Sequence, residues 1–420
     1  MRKSILAVAA LAATVGLALA GCTAGGGSTS SSGSKVVHLT YWSGFTGGDS
    51  ATYKKAVAEF NSTHPDIQVS FQLEPWDTIA QKLPTAIASG QGPDIATPDY
   101  NVATIQQYVA NGLALPMTSI VGSKAGEVPA SAIPKSLLDS FTVKGKIYAM
   151  PASFTTLMLY YNTKLLAAAG LTPPKTMTEL QDDAVKLTGN GNFGIALADN
   201  NTIAQWPVLI WADGGDIVNA KGCSALGNAA TIKSVTTWAD LVRSKGITQV
   251  GLSGQDADNL FAAGKAAFEI NGPNAAGEYT PAGIDFKVVP VPTGASGKPV
   301  TLASTAPTII SAKTKYPKQA QEFLAWWMGK KAQEIISVGA ADGPARTDMG
   351  SDPALKANAL VQSFSSQVPN SRLYLPTVKE FNFINANIFQ PAIQTATRTG
   401  NTASVLKAAS AQLNTLLNCS

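Results

Sequence analysis

A chain of 420 residues, 45 % hydrophobic and 14 % charged, is long enough for about two to three domains and too apolar for a disordered chain. Its formal net charge of +4 is scattered rather than gathered into a basic stripe, which argues against nucleic acid as a partner. Two histidines, His38 and His64, are the whole supply of imidazole, so zinc sites and nucleophilic triads have little to work with.

Residues 1–21 carry Arg2 and Lys3, then an apolar stretch too short to span a bilayer comfortably, then small residues; this is the pattern of an export signal. Leu19-Ala20-Gly21-Cys22 resembles a bacterial lipobox, which implies cleavage before Cys22 and acylation of that cysteine. More than one acyl chain would give stable membrane anchoring. The alternative is a soluble secreted protein with an incidental cysteine. Residues 22–35 continue as a Gly/Ser-rich tether with no side chains able to build a core. Of the other cysteines, Cys223 and Cys419 are expected to pair in the oxidising compartment that export implies, the alternative being two free buried thiols.

From residue 36 the pattern alternates strand and helix. "VVHLTYW" reads as a strand, Tyr53, Val57 and Phe60 recur at helical spacing, and Ile67, Val69, Phe71 and Leu73 alternate in "IQVSFQL". Trp76, Ile79, Leu83 and Ile87 mark a second helix, "GQGPDIAT" turns into a short strand, and Val102, Ile105 and Val109 mark a third helix ending at Asn111-Gly112. Repeated β-α units predict a largely parallel sheet with helices on both faces. "GKIYAMPASFTTLMLYYN" reads as a pair of strands, Thr176 to Glu179 as a capping box, "FGIAL" as a strand, and "TIKSVTTWADLVRSKG" as a helix closed by Gly246. A second α/β domain follows from this repetition. From Tyr316 onward the pattern is almost wholly helical.

The opening loop "YWSGFTGGDS" lacks the lysine of a Walker loop and the G-x-G-x-x-G of a dinucleotide fingerprint, and Asp49 would repel an anion. No pair of carboxylates is nominated for glycoside hydrolysis. Aromatic residues beside Gly, Pro, Asn and Asp are abundant instead: Trp42, Phe45, Trp76, Tyr100, Trp206, Trp211 and Tyr279. Flat rings next to amides and carboxylates suit sugars, which show apolar C–H faces and a rim of hydroxyls. For any one ring, a place in the core is the competing reading; Trp326 and Trp327, mid-helix, are read as core.

With these features in place, the chain resembles the extracellular solute-binding proteins of ATP-driven carbohydrate importers, the family that includes the maltodextrin-binding protein. The landmarks stand in order over nearly all of the chain after the tether: "LTYWSGFTGG", "AVAEFNSTHPDIQV", "KLPTAIASGQGPDI", "YVANGLALP", "VKGKIYAMPASFTTLMLYYNTKLL", "PPKTMTEL", "WPVLIWADGG", "FAAGKAAFEINGP" and "PKQAQEFLAWWMG". The resemblance implies an α/β, two-lobed periplasmic-binding-protein-like fold with a hinge and an interlobe ligand cleft. Lobe 1 would comprise residues 36–152 plus 291–345, and lobe 2 residues 153–290 plus 346–420.

The same resemblance implies a cleft wall of Ser43, Phe45, Thr46, Trp76, Asp99, Tyr100 and Asn101 from lobe 1. Thr155 would come from the crossing strand, at a position where the maltodextrin relative has a carboxylate. Asn201, Trp206, Gly272 and Asn274 would come from lobe 2, with Asn274 where relatives often carry a stacking tryptophan, and Arg346 would add a guanidinium. Phe381 and Asn385 are later candidates. The implied function is a lipid-anchored binding protein, a monomer, that delivers a mono- or oligosaccharide to an ABC permease with its cytoplasmic ATPase. No cofactor, metal or catalytic residue is expected. The alternatives are a polyol or glycerol-phosphate ligand in the same transporter class, an exported glycoside hydrolase, or a purely structural lipoprotein.

Overall fold

The computed structural model describes residues 36–124, 126–200, 205–376 and 378–419. The export signal, Cys22 and the tether lie outside the described residues. No helix among the described residues is long and apolar enough to cross a membrane.

The first half builds β1 (Val37–Ser43), β2 (Ile67–Leu73), β3 (Ile95–Ala96), β4 (Ala114–Leu115), a small hairpin of β5 (Thr142–Val143) and β6 (Lys146–Ile147), and β7 (Met150–Pro151). β1 pairs in parallel with β2 and β3. The helix Ser50–Thr63 between β1 and β2 buries Tyr53, Ala56, Val57 and Phe60 along one stripe, as the 3.6-residue period requires. The helix Trp76–Ser89 buries Ile79, Leu83 and Ile87 in the same way and stops at Gly90, whose φ of +76° is the left-handed cap that glycine takes without strain.

The apparent pair of strands around residue 150 is in fact four short pieces, β6, β7, β8 (Thr155–Thr156) and β9 (Met158–Asn162). Each finds a different partner: β6 its hairpin mate, β7 the strand β14 (Pro307–Ser311), β8 the strand β13 (Thr301–Ser304), and β9 the second sheet. The continuous apolar pattern conceals these breaks because the segment leaves one core and enters another without surfacing.

The second sheet joins β10 (Phe193–Ala196), β11 (Ala266–Asn271), β9 and β12 (Phe286–Val289) in the order β10-β11-β9-β12. β10 and β11 are parallel, while β9 runs antiparallel to both β11 and β12. The first sheet likewise orders β2-β1-β3-β14-β4 with β14 antiparallel to β3 and β4. Both sheets are therefore mixed, not largely parallel as expected; the strands that arrive by crossing from the other half enter in the opposite direction. β15 (Ser371–Leu373) interrupts the helical C-terminal third, pairing with β13.

Buried side chains fall into two main cores. One collects residues from Leu39 to Phe154 and from Ala303 to Ala345; the other takes Ala103 from the first segment, runs from Leu157 to Leu302 and resumes from Tyr374 to Leu413. Successive side chains of a strand point to opposite faces, and β13 divides accordingly, with Leu302 in the second core and Ala303 in the first. Val291 and Val300 also pack with the second core, so along this segment the packing passes from the second core to the first between Leu302 and Ala303. The intervening segment is held along the second half by Thr293, whose amide donates to the Lys175 carbonyl, and by Ala295, whose amide donates to Asp213.

The predicted capping box is present, with the Thr176 hydroxyl accepting from the Glu179 amide and the Glu179 carboxylate accepting from the Thr176 amide. Gly246, at φ +62°, closes the helix Ala229–Lys245. Cys223 and Cys419 are joined by a disulfide. His38 is exposed on β1 and His64 stacks on Phe60 at the end of its helix, so neither faces the cleft.

Candidate functional site

Where the two cores face one another, a cavity of about 400 Å³ opens between them, within the usual range for a small-ligand site. Its first wall grows from the loop after β1. Gly44 lies flat beneath Trp76: a Cβ built on it would sit 2.0 Å from the indole Cδ2, so the absence of a side chain is what seats the ring. Phe45 stacks face to face on Tyr53 with centroids 3.6 Å apart and meets Trp76 edge-on at 5.5 Å. Trp76 meets Tyr100 edge-on at 5.8 Å. Four rings thus pack in series through the stacked and T-shaped contacts that aromatic pairs prefer, with Tyr53 and Phe45 buried behind the half-exposed Trp76 and Tyr100.

The floor comes from the crossing segments. The Ser304 hydroxyl donates to the Tyr100 carbonyl at 2.7 Å, and the Thr155 hydroxyl donates to Asp342 Oδ1 at 2.6 Å. Asp342 is buried and also accepts from the Tyr53 hydroxyl at 3.5 Å. Burial pushes the Asp342 carboxyl up, and the hydroxyls of Thr155, Ser153 and Tyr53 partly offset this.

The second wall is a hydrogen-bonded polar network centred on β11. The Tyr279 hydroxyl donates to Glu269, and the Asn271 amide group donates to Asp258 at 2.6 Å and to Glu269 at 3.2 Å. Burial and the neighbouring Asp258 hold the Glu269 carboxyl well above its usual range. Asp258 is pushed up to about 6, chiefly by burial. Across the cavity Asp49 is pushed up to about 7, by burial first and then by the charges of Asp342 and Glu278. Among the described residues that line the cavity there is no lysine, arginine or histidine.

At the mouth the halves touch backbone to backbone. A Cβ on Gly48 would lie 3.0 Å from the Gly277 carbonyl carbon, and one on Gly277 would lie 3.3 Å from Gly48.

Eight of the sequence-predicted residues line this cavity: Phe45, Thr46, Trp76, Tyr100, Asn101, Thr155, Gly272 and Asn274. Ser43 does not, being fully buried at the end of β1. Asp99 stands behind the wall, where its carboxylate accepts from the Tyr100 amide at 2.6 Å. Trp206 is a core residue: it is fully buried and its Nε1 donates to the Ala198 carbonyl at 2.9 Å. Arg346 is likewise used structurally. Its Nε and Nη2 clasp Asp348 at 2.8 Å each and its Nη1 donates to the Met328 carbonyl, which leaves no fork for a ligand. Phe381 is buried against Tyr374. Asn201 lies outside the described residues.

Sequence reasoning missed Asp49 as a wall residue, along with Tyr53, Asp258, Glu269, Asn271 and Asp342. One signal was present: Glu269 interrupts the apolar strand "AAFEIN", and a charge inside a buried strand needs partners.

The family described as bacterial extracellular solute-binding protein matches residues 44–334. The galactooligosaccharide-binding protein of Bacillus subtilis is 27% identical over 389 residues, spanning 89% of this chain and 88% of its own length. Among solved structures, an ABC transporter solute-binding protein from Thermotoga lettingae bound with α-D-tagatose matches with TM-score 0.81 at 21% identity, covering 91% of this chain and 100% of that one. UgpB from Mycobacterium tuberculosis in complex with glycerophosphocholine matches with TM-score 0.79 at 22% identity, covering 90% and 98%. Both structures share the two-lobed fold.

Proposed function

Because the chain belongs to the bacterial extracellular solute-binding protein family, we propose that it captures a carbohydrate in the interlobe cleft and delivers it to the permease of an ATP-driven importer. The observation that carries this reading is the pair of half-buried rings Trp76 and Tyr100, backed by the buried Phe45 and Tyr53 and facing carboxylates and amides. Such a surface covers the C–H faces of a sugar while the opposite wall accepts from its hydroxyls. The galactooligosaccharide-binding relative supports the same ligand class. Capture and release need no bond-making step, so the protein works as a binder and not as an enzyme.

Thr46, Asn101, Thr155 and Asn274 are assigned to ligand hydroxyls, and the crossings at β8 and β13 to the hinge. Cys22 anchors the protein, as a monomer, to the outer face of the membrane through acyl chains, with residues 23–35 as the tether. A Cys22→Ala chain that still incorporates labelled fatty acid would refute the anchor.

A thermal-shift screen over sugars, polyols and glycerophosphodiesters tests the ligand class, since a ligand that binds the folded state alone stabilises it. Carbohydrates should raise Tm while leaving no hydrolysis product. A response confined to glycerophosphodiesters would instead favour the second reading, which the glycerophosphocholine-bound neighbour keeps in view. Against that reading, the described residues of the cavity wall offer no cationic side chain to a phosphate.

A further inference from the structure

We infer that the cleft takes a short saccharide, of one or two sugar rings, enclosed at both ends by contacts between the two halves. This rests on the carbohydrate-binding role proposed for the cleft and limits the ligand's length.

The first wall fixes an order along the cavity. Its rings run in series from Phe45 through Trp76 to Tyr100, in steps of 5.5 and 5.8 Å, so the loop after Phe45 stands at one end of the row and Asn101, next to Tyr100, at the other. Each end meets the opposite half. At the first, a Cβ on Gly48 would lie 3.0 Å from the Gly277 carbonyl carbon, 3.1 Å from its Cα and 3.4 Å from the Asn274 carbonyl oxygen. At the second, the Asn101 Nδ2 donates to the Tyr374 carbonyl at 3.4 Å, and Tyr374 belongs to the second core. Ser304 and Thr155 close the floor between them. The first closure is backbone on backbone, which cannot swing aside as a side chain does. A ligand that overran it would have to part the halves.

The volume agrees with this limit. At about 30 Å³ for each water of the liquid, a cavity of about 400 Å³ has room for about 13 waters. On that scale a hexose displaces about six waters, a disaccharide about twelve and a trisaccharide about seventeen. Two rings fill the cavity and a third overfills it. The stacking surface has the same length: among the described residues lining the cavity, Trp76 and Tyr100 are half-buried whereas the rings of Phe45, Tyr53 and Tyr374 are buried. Two sugar faces at most therefore find a ring.

Saccharides of one to four rings test this by calorimetry on the full chain, in four families: glucose to maltotetraose, glucose to cellotetraose, galactose to β-1,4-galactotetraose and mannose to β-1,4-mannotetraose. In the family whose stereochemistry fits, the tightest member should be the mono- or disaccharide, with the trisaccharide about tenfold weaker. Gly48→Val, which holds that end apart, should weaken the best short sugar about tenfold and leave the trisaccharide nearly unchanged, so that the preference falls to parity. A folding defect lowers the fraction of active protein and not this ratio. If the variant keeps the ratio of the unmodified chain, the closure at Gly48 is overturned as the stop. If a tri- or tetrasaccharide binds the unmodified chain as tightly as the disaccharide or tighter, the length limit is overturned and the carbohydrate reading stands. Silence toward every saccharide, whatever its length, takes down the carbohydrate reading and the limit with it.

Discussion

The two walls of the cleft solve different problems. The first is built of rings in direct contact, Tyr53 on Phe45, Phe45 against Trp76, Trp76 against Tyr100, and it supplies area without stereochemical demand. The second is built of Glu269, Asn271, Asp258 and Tyr279 locked in mutual hydrogen bonds. It supplies directed donors and acceptors. On the proposed reading, the half-buried Trp76 and Tyr100 of the first wall set how tightly a ligand is held and the second wall sets which ligand is chosen, while the buried Tyr53, Phe45 and Glu269 also hold their own halves together.

That division can be broken by substitution. The largest effect is expected from Asn271→Ala, which strips donors from the buried Glu269 and the half-buried Asp258 and should cost about 2 to 3 kcal/mol of stability in denaturant melts; a loss confined to affinity would erase the contrast. Trp76→Ala should do the reverse, weakening ligand binding by about 2 kcal/mol in calorimetry with little change in Tm, because the ring is only partly buried. Gly48→Val comes next. The new side chain meets the Gly277 backbone and holds the mouth apart, so affinity should fall roughly tenfold and ligand-induced compaction in small-angle scattering should shrink.

The last test is a pH slope. Asp49 rises from an unfolded value near 4 to about 7 in the fold, so the folded state binds the proton more tightly. The associated stability is complete below the unfolded pKa and is lost as pH rises through about 7. Tm should therefore decline between pH 4 and 8, with Asp258 contributing through about 6, and Asp49→Asn should flatten that decline. A steeper decline in the variant would contradict the assignment.

Much of the frame was legible in the sequence because period and capping act locally. The stripe of Tyr53, Val57 and Phe60, the capping box at Thr176 and the terminating Gly246 all follow from nearest-neighbour chemistry. Mixed strand directions were not legible, since the direction of β9 or β14 depends on partners more than a hundred residues away. At the site, loop aromatics such as Phe45 and Trp76 were found by their glycine and proline neighbours. Trp206 followed the same rule and failed it, because its indole donates inward to Ala198. Asp342 and Glu269 escaped notice for the opposite reason: pattern reading treats an acid within apolar sequence as an exception, and here the exceptions converge from separate segments on one cavity.

The disulfide carries a consequence of its own. Cys419 follows the helix Thr402–Leu416, whose Leu406 and Leu413 belong to the same core as Leu226, and Ser224 is tied to Asn414 and Ser410 by hydrogen bonds. The crosslink is therefore a clasp within one jaw and spans no pivot. Reducing it should free the tail to a carboxypeptidase while the grip on ligand stays the same, so the protein gains resilience outside the cell without any brake on its bite.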